Sequence, residues 1–379
     1  VTKVRVVHVI TKLEMGGAQE NTLDTCAGLD RSRWDVALIH GPGGYYDDHA
    51  RTMPDLTDIV LPELVREVRP LTDARCFVGL IEALKRLEPK IVHTHSSKAG
   101  IVGRFAARAA GVPIVVHSIH GFGFFEGQNP AAKRAFIAAE VAASRITDAF
   151  ISVSRATLAE AIARGIVAPR HEARVIRSGF DLSPFFRAPE RRAEARRALG
   201  VTDGDEVFAA IANFKPQKDP LTLVEAMRIV IRRRPNAILL YAGDGELREE
   251  VESAIRAAGI ASSIRLLGWR EDVPDLLAAS DVIVLASLFE GLPRSAVQAL
   301  ASSRPFVGTR VDGTAEIIRD GRNGFLVEPK NPIALAEAMI RALIERPVDP
   351  RDRERVLEWA PERMVRAQEE LYASLVGRT

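Results

Sequence analysis

Short runs rich in Val and Ile alternate with longer helical patterns along almost the whole chain, and this rhythm restricts the fold more than any other feature. Strands separated by helices pair in parallel, and the helices then cover both faces of the sheet. In the first half the strand-like runs are VRVVHVI, DVALIH, DIVLPE, KIVHTH, PIVVHSIH, DAFISVS and ARVIRSG. Several are almost wholly apolar, as strands covered on both faces must be. The stretch from Asp181 to Asp205 breaks the rhythm with prolines and arginines and reads as a domain boundary. A second series follows: EVFAAIAN, AILLYAGDG, IRLLG, DVIVLAS, PFVGT and GFLVEP. Helical stretches from Asn331 to Glu345 and from Pro361 to Val376 close the chain.

At 379 residues the chain exceeds one ordinary core, so two domains are expected. The predicted fold class is α/β, with two Rossmann-like doubly wound domains over 1–182 and 183–360, and the segment 361–379 packing back on the first. A formal charge of +2 excludes a dedicated nucleic-acid binder, although local basic clusters can still meet phosphate or anionic lipid. Cys26 and Cys76 lack CxxC or metal-ligand spacing, which fits free, buried thiols in a reducing compartment. No apolar run is long enough to span a membrane, and the first residues enter strand-like alternation without a signal-peptide pattern. The expected location is the cytoplasm, with any membrane contact peripheral.

Ligands of doubly wound sheets bind beyond the carboxyl ends of the strands, so the loops there are the candidates for function. After the first strand, Gly16 and Gly17 precede a helical run, where bare backbone and a helix N-terminus suit a phosphate. A tight turn without a ligand is the other reading, and the pattern is not a dinucleotide fingerprint. His93, His95, His117 and His120 end two strands, but an HxH pair without a nearby acid is a poor metal set. His120, beside Gly121 where the chain turns, is the candidate ligand contact, and the other three read as buried, hydrogen-bonded histidines.

In the second half, ANFKPQKDPLTL places Lys215 and Lys218 before a helix, a constellation for phosphate. Gly243 and Gly245 in YAGDGEL mark another turn at which backbone can line a ligand. Trp269 and Arg270 follow a short strand and can flank a planar base, although Trp269 packing between domains fits equally. In SLFEGLPRSAVQALASSRP, Glu290 lies on the loop after a buried strand. Pro293 fits the first helical position, Ala296, Val297, Leu300 and Ala301 trace an inward stripe, and Gln298 lies on the helix. An acid favouring the helix dipole and a solvated glutamine are the alternatives for Glu290 and Gln298.

Together these motifs resemble a family 4 glycosyltransferase of GT-B architecture. The resemblance covers nearly the whole chain: the GG loop, HGFGF, VSRATLAEAIARGI, VIRSGFDLSPF, the lysine loop, GDGELR, and the stretch SLFEGLPRSAVQALASSRPFVGTRVDGTAEIIRDGRNGFLVEP. HTHSSKAGIVGR and HGFGF look most like members that build bacterial surface polysaccharides on lipid carriers. The resemblance implies two domains facing each other across a cleft, the first on the acceptor side and the second holding the nucleotide sugar. It further implies a retaining transferase with no cofactor and no obligatory metal. The expected reaction moves a hexose or N-acetylhexosamine from a nucleotide diphosphate sugar, UDP favoured, to a hydroxyl acceptor, foremost a lipid-linked glycan. It would act in the cytoplasm at the inner face of the membrane.

Residue by residue, Glu290 matches the first of the family's two glutamates, a donor-sugar contact, and the segment Gly291, Leu292, Pro293 follows it. Gln298 stands where the second glutamate, a ribose ligand, is usual. The phosphate-binding Arg–Lys pair falls on Asn213 and Lys218, with Lys215 able to restore the missing charge. Ser178 replaces an asparagine of the crossover motif, while Gly179 and Asp181 match. Gly17 corresponds to the loop approaching the diphosphate and His120 to a sugar-contacting histidine, with no base role implied. Phe122, Phe124 and Phe125, the helix bearing Lys133 and Arg134, and the arginines 187, 191 and 192 are candidates for a lipid-facing surface, with aromatic packing and a solvated linker as the alternatives. Two other functions share the architecture: a sugar-nucleotide epimerase, and a sugar-nucleotide-binding regulator without turnover.

Overall fold

The computed structural model describes residues 3–122 and 129–378. Phe124 and Phe125 of the expected aromatic loop lie outside the described residues. Contacts divide the chain into one unit of Val1–Phe180 with Trp359–Thr379 and another of Asp181–Glu358.

The first unit holds β1 (Val4–Lys12), β2 (Trp34–Gly41), β3 (Leu56–Val60), β4 (Ile91–Thr94), β5 (Ile114–Ile119), β6 (Ala149–Ser152) and β7 (Glu172–Val175). They pair in parallel in the order β3-β2-β1-β4-β5-β6-β7. In β4 all residues are buried, because helices cover both faces and leave no polar side for alternation. On one face Val7, Val9, Val92 and Val115 pack against Cys76, Leu80 and Leu84 of the helix Pro70–Leu87 and Ala99 of the helix Ser97–Ala109. On the other, Val6, Ile10, Leu23 and Trp34 pack against Met364, Val365, Leu371, Tyr372 and Leu375 of the helix Pro361–Val376. Each fully buried side chain of that size contributes about 1.5–3 kcal/mol, which is what returns the end of the chain to the first unit. Tyr372 also meets His93 Nδ1 at 2.5 Å. The crossover is braced within the same unit: Asn21 Nδ2 donates to Ser178 Oγ at 3.0 Å, and a Cβ on Gly179 would lie 2.5 Å from Pro361 Cα.

The second unit holds β8 (Glu206–Ile211), β9 (Ala237–Ala242), β10 (Ile264–Gly268), β11 (Val282–Leu285), β12 (Phe306–Thr309) and β13 (Gly324–Val327), parallel in the order β10-β9-β8-β11-β12-β13. Arg191 and Arg192, before β8, form ion pairs within this unit. Arg191 pairs with Asp275 at 2.6 Å. Arg192 pairs with Asp281 at 2.7 Å and donates to the Ser280 carbonyl at 2.9 Å, clamping the end of the helix Val273–Ala279. Among the described residues, no helix is long and apolar enough to cross a membrane.

Candidate active site

Each sheet reverses its strand order once, between β1 and β4 in the first unit and between β8 and β11 in the second. At such a point neighbouring loops leave the sheet in opposite directions, and a crevice opens beyond the strand ends. Asn213, Lys215, Lys218 and Glu290 lie on the loops at the second reversal, whereas Gly243 and Gly245 follow β9 and Trp269 and Arg270 follow the edge strand β10.

In the second unit the loop after β8 carries Asn213 and Lys215 and ends in a short 3-10 turn, Pro216–Lys218. The loop after β11 carries Glu290. Backbone and side chain stitch the two loops together: Leu288 N–H donates to the Gln217 carbonyl at 2.8 Å, and Gln217 Nε2 donates to the Phe289 carbonyl at 2.9 Å. Lys218 Nζ thereby forms an ion pair with Glu290 Oε1. Glu290 is 6% exposed, so its charge is stabilised by this cation and by directed hydrogen bonds. Ser287 Oγ donates to Glu290 Oε1 at 2.5 Å, and the Glu290 N–H donates to Asp312 Oδ2 at 3.0 Å. Thr309 of β12 in turn donates to the Ser287 carbonyl. A Cβ on Gly313 would lie 2.1 Å from the Gly291 carbonyl oxygen, so only glycine lets the loop after β12 come this close.

Ser287, Gln217 and Asp312 escaped the sequence reading. The Asp312–Gly313 dipeptide is a turn signal, but that the turn supports Glu290 follows only from the pairing of β11 with β12. Arg294 also escaped it. It opens the helix Arg294–Ala301, and burial pushes its pKa down to about 10, leaving it charged at neutral pH.

That helix begins one residue later than expected. Pro293, extended at φ −72° and ψ 107°, caps it in place of the first helical position. The inward stripe is as read: Ala296, Val297, Leu300 and Ala301 are buried. Leu292 and Gln298 are half-buried.

Gly243 and Gly245 are required by the neighbouring loop. Their φ values are +140° and +155°, and Cβ atoms there would lie 2.0 Å from the Ala212 oxygen and 2.7 Å from the Phe214 oxygen. They hold the Asn213 loop against β9. Arg270 is engaged by Asp272 through Nε at 2.7 Å and Nη2 at 2.5 Å. Trp269 beside it is 48% exposed.

In the first unit, Gly16 is the extended cap of the helix Gly17–Gly28 beyond β1. His120 follows β5 and accompanies a buried row of imidazoles across the reversal. His8 Nδ1 lies 2.9 Å from His95 Nε2, and His95 Nδ1 lies 3.0 Å from His120 Nε2. His93 Nε2 meets Ser118 Oγ at 2.8 Å, and His117 Nδ1 meets Thr94 Oγ1 at 2.9 Å. Burial pushes His8 down to about 3, with Arg31 adding to the effect, and His120 down to about 4. Burial likewise holds His93, His95 and His117 well below the ordinary imidazole range. All five are neutral at neutral pH. His8, His93 and His95 are close enough for ring nitrogens to lie within 4.8 Å of one another. The nitrogens of His93 and His95 are already hydrogen-bonded. His8 escaped the sequence reading, because only the register of β1 on β4 sets it opposite His93.

A family model described as group 1 glycosyl transferases matches residues 205–345, and one described as a glycosyl transferase 4-like domain matches residues 16–179. A UDP-Gal:alpha-D-GlcNAc-diphosphoundecaprenol alpha-1,3-galactosyltransferase of Escherichia coli is 31% identical over 347 residues, 90% of this chain and 88% of the relative. The chain belongs to this glycosyltransferase family. Among solved structures, sucrose-phosphate synthase from Thermosynechococcus elongatus is similar with a TM-score of 0.87 at 21% identity, covering 100% of both chains. Anabaena HepE in complex with UDP is similar with a TM-score of 0.81 at 20% identity, covering 98% of this chain and 100% of that one. These likenesses show that the glycosyltransferase has the GT-B fold. Of its departures from the family pattern, Ser178 lies in the first unit, and Gln298 and Asn213 lie in the second. Gln298 stands on the helix Arg294–Ala301 with its side-chain amide free of hydrogen bonds among the described residues. Asn213 stands on the loop held by Gly243.

Proposed function

We propose that this glycosyltransferase moves a hexose or N-acetylhexosamine from a UDP-sugar to a hydroxyl of a lipid-linked glycan, with retention at the anomeric carbon and without an obligatory metal. The observation that carries the reading is the Lys218–Glu290 ion pair at the reversal between β8 and β11, one cation and one buried anion where a doubly wound sheet receives its ligand. The Escherichia coli relative, whose name specifies a UDP-Gal donor and a diphosphoundecaprenol-linked acceptor, supports the donor and acceptor classes.

In this reading Lys218 turns to the diphosphate of the donor, with Lys215 beside it, and Glu290 accepts hydroxyl hydrogen bonds of the donor sugar. The bond from the anomeric carbon to the diphosphate breaks and its electron pair goes to the phosphate oxygen. The acceptor oxygen forms the new bond on the same face, and its proton passes to that leaving phosphate oxygen. Charge grows on the diphosphate as the bond breaks, so a fixed ammonium group there stabilises the transition state more than the ground state. Gly16, Gly17 and the start of the helix Gly17–Gly28 offer bare N–H groups of the kind that suits an anion. Trp269 and Arg270 flank the nucleotide base, and Gln298 replaces the usual ribose acid.

The test is to incubate the purified chain with UDP-galactose, UDP-glucose and UDP-N-acetylhexosamines, with and without a GlcNAc-diphosphate-lipid acceptor, in the presence of a chelator. An α-linked product and released UDP are expected. A β-linked product overturns retention, and activity lost to chelator and restored by Mg²⁺ overturns metal independence. A donor sugar altered without acceptor makes the chain an epimerase. Donor binding without turnover across an acceptor panel makes it a binding protein.

A further inference from the structure

We propose that His8 and His95 set the tautomer of His120, so that His120 meets a donor-sugar or phosphate oxygen as an Nδ1–H hydrogen-bond donor. This rests on the transferase reading for what His120 touches, while the tautomer itself stands on the first unit alone.

A neutral imidazole carries one N–H and one lone pair. His95 bonds His8 through Nε2 and His120 through Nδ1, at 2.9 Å and 3.0 Å, so its single proton serves one neighbour and its lone pair the other. The two bonds therefore run in the same direction, outward from His8 to His120 or inward from His120 to His8. Direction is decided at the buried end. His8 is fully buried, and its Nε2 has no hydrogen-bond partner among the described residues. His93, whose ring lies 5.1 Å away and tilted by 46°, has both nitrogens engaged by Tyr372 and Ser118 and offers none.

If the row ran inward, His8 Nδ1 would accept, and its proton would sit on Nε2 as an orphaned N–H in the core. If it runs outward, Nδ1 carries the proton, donates to His95, and Nε2 keeps only a lone pair. Orphaned buried N–H groups are rarer in proteins than under-used acceptors. Outward direction makes His95 Nδ1 the donor to His120 Nε2. The proton of His120 is then on Nδ1, which makes no hydrogen bond among the described residues. His8 and His95 act through His120 and are positioning residues. His120 offers a donor to an oxygen and has no free basic nitrogen with which to take a proton.

The test uses the full chain labelled with ¹⁵N in its histidine side chains, read at neutral pH by long-range ¹H–¹⁵N correlation, together with two variants of equal size. His8→Asn keeps an N–H donor toward His95 Nε2, whereas the ionised carboxylate of His8→Asp offers only acceptors. In the wild type and in His8→Asn, His8 (where present), His95 and His120 resonate as Nδ1–H tautomers. In His8→Asp the row inverts and His120 becomes the Nε2–H tautomer. Donor kcat/KM then falls by about tenfold in His8→Asp, the loss of one hydrogen bond, and stays within about threefold in His8→Asn. An Nε2–H or doubly protonated His120 in the wild type overturns the proposal, as does the same His120 tautomer in both variants. If His8→Asp fails to fold, the resonances of the wild type and His8→Asn still decide. Absence of transfer with every donor would overturn the proposed function instead, and the resonances would still report the direction of the row.

Discussion

Lys218 and Glu290, 72 positions apart in sequence, close an ion pair across the strand-order reversal of the second sheet. The pair brings the carboxylate expected to hold the sugar beside the ammonium expected to hold the diphosphate.

Replacing Glu290 by Gln keeps the shape and removes the charge. Transfer is expected to fall by about 10²-fold or more in kcat, measured by UDP release at saturating donor. Full activity would remove Glu290 from the site.

Lys218→Ala leaves a buried carboxylate with Ser287 and without its cation. Breaking such a pair from one side costs about 3–5 kcal/mol, visible as a lower urea midpoint at neutral pH. UDP affinity by calorimetry should also fall, and an unchanged Kd would take Lys218 out of the phosphate site.

Gln298→Glu restores the usual acid at a half-buried helical position whose side-chain amide has no hydrogen-bond partner among the described residues. The charge-assisted bond to ribose strengthens donor binding by about 1–2 kcal/mol, about 5- to 30-fold in donor KM. Weaker donor binding in this variant would separate Gln298 from the ribose.

Gly313→Ala places a methyl 2.1 Å from the Gly291 oxygen and must displace the loop of Glu290. A shift of about 1 Å in a reacting contact costs about 10²-fold. Transfer should fall that far while far-ultraviolet circular dichroism is retained, and an active Gly313→Ala enzyme would show the loop to be tolerant.

All 8 histidines precede Phe180, in the first unit. His8, His93, His95, His117 and His120 have folded pKa values below the ordinary 6.5, because burial disfavours their charge. Above about 6.5 they cost nothing. As pH falls through that value the unfolded chain takes up protons that the native row refuses, so stability drops by about 1.4 kcal/mol per pH unit for each imidazole. His40 opposes this: burial works against its charge, but Asp58, the Gly41 carbonyl and Asp47 raise it overall. Urea unfolding followed at Trp34, fully buried in the first unit, should show a lower midpoint near pH 5.5 than near pH 7.5. Equal midpoints would mean that the row titrates normally.

The strands were legible because sequence neighbours suffice to form them: each of the quoted apolar runs overlaps one of the strands β1–β13. Glu290, Lys218 and the glycine turns were legible too, since strand ends followed by charged or glycine-bearing loops occupy known places in doubly wound sheets. What supports them was not. Ser287 and Asp312 are common loop residues, and His8 is one polar residue in an apolar strand. That Arg191 and Arg192 pair with Asp275 and Asp281 was not legible either, since the partners lie more than 80 positions away in sequence.

By itself, the sequence determined the alternation of strand and helix, the break near Asp181 and the polar residues at strand ends, because these depend on local periodicity and turn chemistry. Only the tertiary structure decided that Lys218 faces Glu290, that Gly313 admits Gly291, and that His8, His95 and His120 share one row of hydrogen bonds. Those contacts depend on strand order and register, which long-range burial selects and no local pattern records.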